Sequence, residues 1–262
     1  MACKIFNAFE GCMEELAYQR PALHDMDPEV FPSGAPFSKS LIEISGSSEA
    51  GKSMLLWRLM ARCLTPTYFG GRNCDIIFID LQHKFDMEHF ARQIKRLVIS
   101  SGEQYTTAEL EEVVEKSLES VHLLNCYSSK DFDAALEFAD GLLMKHSDCA
   151  MIAIDGLDRF YWLDTYVRRI RMQTHYVRNV ERIRNLCERH GVCCAYTVDT
   201  NYLGVKKMGG VEGNAPGHVA LRTNVNVEHR LYLQFRKNGE RFLNERPVEI
   251  RDDGLHFINT QQ

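Results

Sequence analysis

One segment of the sequence has the residue types and the spacing of a phosphate-binding loop. It matches the pattern G-x-x-x-x-G-K-[ST]. The eight residues are Gly46, Ser47, Ser48, Glu49, Ala50, Gly51, Lys52 and Ser53. Glycines allow such a backbone to curl around an anion, and amides at the start of a following helix point at the phosphates. Lys52 would neutralise β- and γ-phosphate charge and the Ser53 hydroxyl would ligate magnesium, so the segment predicts binding of ATP with Mg²⁺.

The elements on either side of this loop are those that a phosphate site needs. An apolar strand is predicted at residues 41–45 and a helix at residues 54–60. A chance match in a glycine-rich turn is the alternative, and the flanking strand and helix disfavour it.

A second acidic group is expected at the end of another buried strand. Residues 151–154 are apolar and Asp155 follows them. We expect Asp155 to hold the magnesium ion through water. The alternative is that Asp155 only caps the turn after the strand.

Strand-like and helix-like segments alternate from residue 40 onward. Strands are predicted at residues 41–45, 75–80, 121–126, 150–155 and 192–198, and the longest helical pattern covers residues 164–190. This alternation predicts an α/β fold with a mostly parallel sheet flanked by helices. Residues 200–223 contain five glycines and predict a long loop. Alternating residues 227–236, a turn and residues 241–245 then predict C-terminal antiparallel strands.

Composition limits the class of protein. The net charge is −5, which argues against a strong stand-alone nucleic-acid binder but allows a local basic patch. No apolar run approaches the roughly 20 residues of a membrane span. The nine cysteines form no C-x-x-C pair, which argues against a disulfide framework or a zinc site and favours a reducing compartment.

Further segments carry a family resemblance over roughly residues 40–200. They are residues 41–46 leading into the loop, 61–64, 77–80, 85–87, 154–155 and 160–162. With them the chain resembles the RecA-family DNA-repair recombinase paralogues. The resemblance implies a RecA-like P-loop NTPase core and a nuclear role in homologous-recombination repair of double-strand breaks and stalled forks. It also implies assembly with other recombinase paralogues, chiefly the D-type one.

Two positions depart from the active members of that family. The position of the water-activating glutamate, two residues after Asp80, is Gln82, and glutamine cannot act as a base. The position of the γ-phosphate-sensing glutamine is Asp199, a negative group where a donor is wanted. Both changes predict weak or absent hydrolysis with nucleotide binding retained.

Two basic segments are candidates for DNA contact. By resemblance, the start of the arginine-rich segment 167–190 corresponds to the first DNA-facing loop of RecA-like proteins, and residues 200–223 occupy the place of the second. We expect Arg168, Arg169, Lys206 and Lys207 to contact single-stranded or branched DNA within a complex. A solvated helix face and an ordinary loop are the alternative. The aromatic residues 160–162 could stack on bases or a partner, and packing in the core is favoured for them.

The N-terminal part is expected to differ from the core. Residues 1–39 predict a short helix and a proline-rich linker, and residues 40–262 predict the ATP-binding core. The 39 residues are too few for the N-terminal DNA-binding domain of strand-exchange recombinases. RecA-like proteins dock on neighbours through a Phe-x-x-Ala segment, and here Phe6 and Phe9 are candidates for that contact. Alternatively, both pack on this chain's own core.

These observations favour an ATP-binding assembly subunit of a recombinase-paralogue complex. A fully active DNA-dependent ATPase is the alternative, and it requires a water-activating group that neither Gln82 nor Asp199 supplies. A P-loop metabolite kinase fits less well, because the predicted C-terminal antiparallel strands and the glycine-lysine loop are not features of that class.

Overall fold

A computed structural model describes residues 20–31, 36, 38–203, 218–225, 231–237 and 245–258. Their nine strands form one sheet in the order β3-β2-β4-β5-β1-β6-β7-β8-β9. The strands are β1 Leu41–Gly46, β2 Asp75–Asp80, β3 Val121–Asn125, β4 Cys149–Asp155, β5 Cys193–Asp199, β6 His218–Val225, β7 Leu231–Lys237, β8 Glu245–Arg251 and β9 Gly254–Phe257. The helices are α1 Lys52–Leu64, α2 Met87–Ser100, α3 Thr107–Glu119, α4 Ser129–Lys145, α5 Tyr161–Arg168, α6 Met172–His190 and α7 Thr200–Leu203, with a 3₁₀ turn at Thr67–Phe69.

The predicted α/β architecture is confirmed. Strands β1 to β6 pair in parallel, and β7, β8 and β9 add antiparallel pairs at one edge. One apolar cluster packs α1, α2 and α3 against the sheet, and a second packs α4, α5 and α6 against the opposite face. All residues of β1 and β4 are buried, as expected for parallel strands that are covered on both faces. The cysteines in the described residues are buried and form no disulfides.

The prediction of one long loop over residues 200–223 is wrong at both ends, and Thr200–Leu203 is the short helix α7. His218–Val225 is strand β6, which pairs in parallel with β1 so that Gly46 lies opposite Thr223. The glycine-rich composition of the preceding residues concealed a short alternating pattern in which Leu221 and Thr223 are buried. The phosphate-loop strand therefore has a parallel neighbour on each side.

The predicted helix over residues 164–190 is divided into α5 and α6. Arg169 ends α5 with a φ of 50°, in the left-handed region that interrupts helices. The helical periodicity continues on both sides of this residue, and for that reason the sequence pattern did not reveal the break.

Residues 20–31 pack on the core, although the sequence predicted an extended linker there. Leu23, Met26, Val30 and Phe31 are buried in the same cluster as α1. No helix among the described residues combines the length and the apolarity that a membrane crossing requires.

A buried ion pair ties this linker to α1. Arg58 donates to both carboxylate oxygens of Asp27, at 2.6 and 3.1 Å, and to the carbonyl of Leu255 in β9 at 3.0 Å. Burial alone would raise the pKa of Asp27, but the Arg58 guanidinium outweighs it and holds this pKa below its ordinary value. The helix that begins at the phosphate loop is thus fixed to both the N-terminal linker and the C-terminal strands.

Candidate nucleotide site

The predicted phosphate loop connects the end of β1 to the start of α1. Gly51 precedes the helix with a φ of 81°, a left-handed conformation that glycine adopts without strain. Gly46 is required for a different reason, which is that a Cβ there would lie 2.3 Å from Thr223 Oγ1. The close approach of β6 therefore requires glycine at position 46. The left-handed backbone that precedes α1 favours glycine at position 51.

Lys52 lies folded onto its own loop. Its ammonium group donates to the carbonyls of Gly46 at 3.2 Å and Ser47 at 2.7 Å. The same nitrogen lies 3.6 Å from Asp199 Oδ2, at the end of β5, and both side chains are mostly buried. Asp199 therefore faces the lysine that is expected to neutralise a nucleotide.

Ser53 and Asp155, the two predicted magnesium ligands, are in contact. Ser53 Oγ donates to Asp155 Oδ1 at 3.1 Å, and Thr197 Oγ1 donates to the same oxygen at 2.6 Å. Thr197 in turn accepts a hydrogen bond from the Gly156 amide at 2.7 Å. Burial raises the pKa of Asp155, and the two hydroxyl donors partly offset that effect. The hydroxyl and the carboxylate together offer the oxygen donors that Mg²⁺ prefers.

Gln82 lies at the entrance of the same site. Asp80, the last residue of β2, accepts hydrogen bonds from the backbone amides of Gln82 at 2.9 Å and His83 at 2.8 Å, which fixes the turn. A Cβ on Gly156 would lie 2.7 Å from the Gln82 side chain, so the glutamine packs over the turn after β4. The structure thus places Gln82 beside the predicted magnesium-binding residues.

Asp158 is a site residue that the sequence reasoning missed. Its carboxylate accepts the backbone N–H of Asp199 at 3.1 Å, and burial raises its pKa. An aspartate three residues after a strand end has no motif to mark it. Its role became visible only because β4 and β5 are neighbours in the sheet.

These groups surround one cleft of about 570 Å³, within the usual size of a ligand site. Its walls include Lys52, Ser53, Gln82, Asp158 and Asp199. Sequence reasoning also did not assign Lys84, Arg159, Tyr202 and Ile250 to this cleft.

The site carries more negative than positive charge near Lys52. Asp155 is buried below Ser53, and Asp158 and Asp199 lie on the other side of the lysine. A triphosphate would meet these three carboxylates together with the cations Lys52, Lys84 and Arg159 of the cleft, and a magnesium ion would bring further compensating charge. The residues therefore fit a magnesium–nucleotide complex, in which Ser53 and Asp155 would hold the ion and the ion would neutralise phosphate oxygens.

The aromatic residues after β4 divide into two groups. Phe160 and Tyr161 are buried, in agreement with the expected core packing. Trp162 is 67% exposed and lines the cleft, so core packing is wrong for this residue. On the next turn of α5, Tyr166 is 92% exposed.

The structure describes only two of the residues that were predicted to contact DNA or a partner. Arg168 is the last residue of α5, and Arg169 is exposed at its left-handed end. Lys206 and Lys207, like Phe6 and Phe9, lie outside the described residues. Their roles stay predictions.

The known proteins that the chain matches are DNA repair proteins. No family model matches the chain. It is 28% identical over 165 residues to DNA repair protein XRCC2 of Mus musculus, covering 62% of this chain and 56% of the relative. It is 20% identical over 167 residues to the DNA repair protein XRCC2 homolog of Arabidopsis thaliana, covering 52% of this chain and 45% of that protein. The chain thus spans about half the length of these two relatives.

A more distant similarity extends over more of the chain. The DNA repair and recombination protein RadA of Halobacterium salinarum is 23% identical over 257 residues, covering 85% of this chain and 72% of the relative. This similarity agrees with the RecA-like core that the sequence resemblance implies.

Proposed function

We propose that the chain, which is similar to XRCC2 and RadA, is a RecA-family paralogue and an ATP- and magnesium-binding subunit in DNA repair by homologous recombination. The names of the relatives support the role in repair and recombination. The nucleotide, the assembly and a nuclear location are parts of the proposal.

One observation carries the nucleotide assignment. Ser53 donates a 3.1 Å hydrogen bond to Asp155, which comes from a distant part of the chain, and Lys52 lies beside Ser53 on the wall of the same cleft. Lysine, hydroxyl and strand-end carboxylate are the three side-chain groups with which P-loop proteins hold phosphates and magnesium.

The contact between Lys52 and Asp199 suggests how binding would be communicated. A phosphate that attracts Lys52 competes with Asp199 for the same ammonium group. Asp199 ends β5 and is followed directly by α7 and then by residues 204–217, which hold the predicted DNA-contacting lysines. Nucleotide binding would therefore release a contact at the start of that segment.

Weak or absent hydrolysis is part of the proposal. Gln82 lies at the cleft without a carboxylate, and Asp199 pairs with Lys52 where an amide donor would be required. Glutamine could still orient a water, as it does in small GTPases, but it cannot accept the proton.

The alternative of a fully active DNA-dependent ATPase has a direct test. Steady-state phosphate release is measured for the purified chain with and without single-stranded DNA, beside an active recombinase. We expect slow turnover in both conditions. Fast, DNA-stimulated release would establish the alternative and show that another group activates the water.

A metabolite kinase is less consistent with a sheet extended by three antiparallel strands.

Assembly with other recombinase paralogues, chiefly the D-type one, is tested by co-purification. Phe6 and Phe9 are the proposed anchors, and truncating an aromatic anchor in an interface typically costs about 2 kcal/mol or more. Changing both to Ala should abolish the pull-down and leave the melting temperature of the isolated chain unchanged. An intact pull-down with a lowered melting temperature would show that the two residues pack on the core instead.

Contact with single-stranded or branched DNA is proposed for the assembled complex. Neutralising Arg168, Arg169, Lys206 and Lys207 should flatten the salt dependence of binding by roughly one unit for each lost phosphate contact. An unchanged slope would make these residues ordinary surface charges.

A further inference from the structure

A second cluster of ligand-type residues lies away from the nucleotide cleft, where the parallel strands begin. Asp75, His122 and His146 each offer one ligand atom, and these atoms lie within 4.8 Å of one another. We propose that the three residues form a zinc site that fastens the edge strand β3 to the body of the sheet.

The fold brings these residues together from three segments. Asp75 is the first residue of β2 and His122 is the second residue of β3, and the two strands pair so that Ile76 lies opposite Val121. His146 follows α4 in the turn that leads to β4. Asp155 and Asp199 lie at the other ends of their strands, so this cluster is distinct from the predicted magnesium site.

The turn that carries His146 is held in place. Arg20 donates to the carbonyls of His146 and Cys149, each at 2.7 Å, and to the carbonyl of Leu143 at 2.5 Å. One guanidinium therefore fixes the end of α4 and the start of β4. Such a support limits how far the backbone that carries His146 can move relative to the sheet.

Within the described part of the chain, one buried nitrogen atom of His122 lacks a partner that a bound metal ion would supply. His122 Nε2 is buried but has no hydrogen-bond partner among the described residues. Asp75 Oδ2 lies 3.6 Å away, which is too long for a hydrogen bond. Buried polar atoms normally have a partner, and a bound ion is one recognised explanation for an exception. A metal ion between Asp75 and His122 would use this nitrogen as a ligand.

The chemical types of the three ligands favour zinc over magnesium or calcium. Two imidazoles and one carboxylate suit zinc and similar transition metals, whereas magnesium and calcium prefer oxygen ligands. Zinc–nitrogen bonds of about 2.0–2.1 Å place tetrahedral ligand atoms roughly 3.4 Å apart, so the widest separation in the cluster must shorten by up to about 1.4 Å. His146 is exposed, and its ring lies 5.3 Å from that of His122, so a small side-chain rotation can close the site. Water would complete the coordination.

This inference differs from the expectation drawn from the cysteines. Their spacing argued against a zinc site, and the proposed ligands are not cysteines. Asp75, His122 and His146 also lie too far apart in the sequence to form a motif, so only the pairing of β2 with β3 reveals them.

The test uses the full chain after treatment with a chelator. Zinc binding is measured by calorimetry, and cobalt is used as a spectroscopic probe of a tetrahedral site. The variants are His122→Ala and His146→Gln, and His256→Gln is the matched control because His256 pairs with Asp253 at 2.6 Å outside the cluster. Removing a ligand should weaken zinc binding by at least tenfold, the low end of what even a supporting residue contributes.

The expected result has three parts. Wild type and His256→Gln bind one zinc ion for each chain, their melting temperatures rise with zinc, and excess magnesium does not compete. Both cluster variants lose the zinc-dependent rise. If His122→Ala does not fold, His146→Gln decides alone, because that side chain is exposed. Zinc affinity and cobalt spectrum equal to wild type in His146→Gln would overturn the proposal.

Discussion

Removing the charge of Asp199 should make ATP binding tighter. The Lys52 ammonium lies 3.6 Å from the Asp199 carboxylate. A nucleotide has to attract that lysine away from Asp199, and its phosphates meet the negative charge that remains. Asp199→Asn keeps the shape of the side chain while it removes both the competition and the repulsion.

The size of this effect follows from the distance and the exposure. Two unit charges about 4 Å apart attract by about 1 kcal/mol in bulk water and about 4 kcal/mol at an effective dielectric constant of about 20. Lys52 is 11% exposed and Asp199 is 21% exposed, so the pair lies between these limits. An asparagine retains a weaker dipolar contact with Lys52, so we take about 1–2 kcal/mol as the gain in binding. This gain corresponds to a dissociation constant lowered by roughly 5- to 30-fold.

The assay is a titration with a fluorescent ATP analogue at saturating magnesium, with calorimetry as a second method. Glu115→Gln is the matched control, because it also removes one negative charge but lies exposed on α3. An Asp199→Asn affinity within about twofold of wild type, or an equal change in Glu115→Gln, would refute the competition between Asp199 and phosphate.

Three further predictions test other parts of the account. Arg58→Ala should lower the free energy of unfolding by about 3–5 kcal/mol in urea denaturation, because Asp27 stays buried and loses its bidentate partner, keeping only Arg62 at 3.5 Å as a nearby cation; a loss below about 1 kcal/mol would contradict this. Burial raises the pKa values of Asp155 and Asp158, so the folded chain holds these protons longer and the contribution of these two groups to stability should decline as pH rises above about 4. Asp158→Asn should make that decline shallower, and superimposable stability–pH curves would contradict the assignment. Gln82→Glu should raise steady-state phosphate release. An unchanged rate would show that Gln82 is not the cause of slow hydrolysis.

Much of the nucleotide site could be predicted from sequence because its parts are local. The phosphate loop is a continuous motif between a strand and a helix, and Asp155 directly follows an apolar strand. Local patterns of this kind carry their own structural context. The predicted limits of strands β1 to β5 agree with the observed ones to within one residue, because buried parallel strands are continuous apolar runs.

The features that could not be predicted depend on contacts between distant segments. Asp158 contacts Asp199 only because β4 and β5 are neighbours, and the zinc ligands Asp75 and His122 meet only through the register of β2 with β3. The left-handed Arg169 interrupts a helical pattern that the sequence continues without a break. Sequence periodicity describes one element at a time, so it does not report which strands pair or which side chains meet across them.

Nucleotide binding through Lys52 can be tested by measuring ATP affinity. ATP affinity at saturating magnesium is compared for wild type, Lys52→Ala and Lys116→Ala, an exposed lysine on α3 that pairs with Glu112. Loss of a hydrogen bond to a charged group costs about 1.5–3 kcal/mol, so Lys52→Ala should bind ATP at least tenfold more weakly, while Lys116→Ala matches wild type. Equal ATP affinity in Lys52→Ala and wild type, with both proteins folded, would contradict the assignment of this cleft as the nucleotide site.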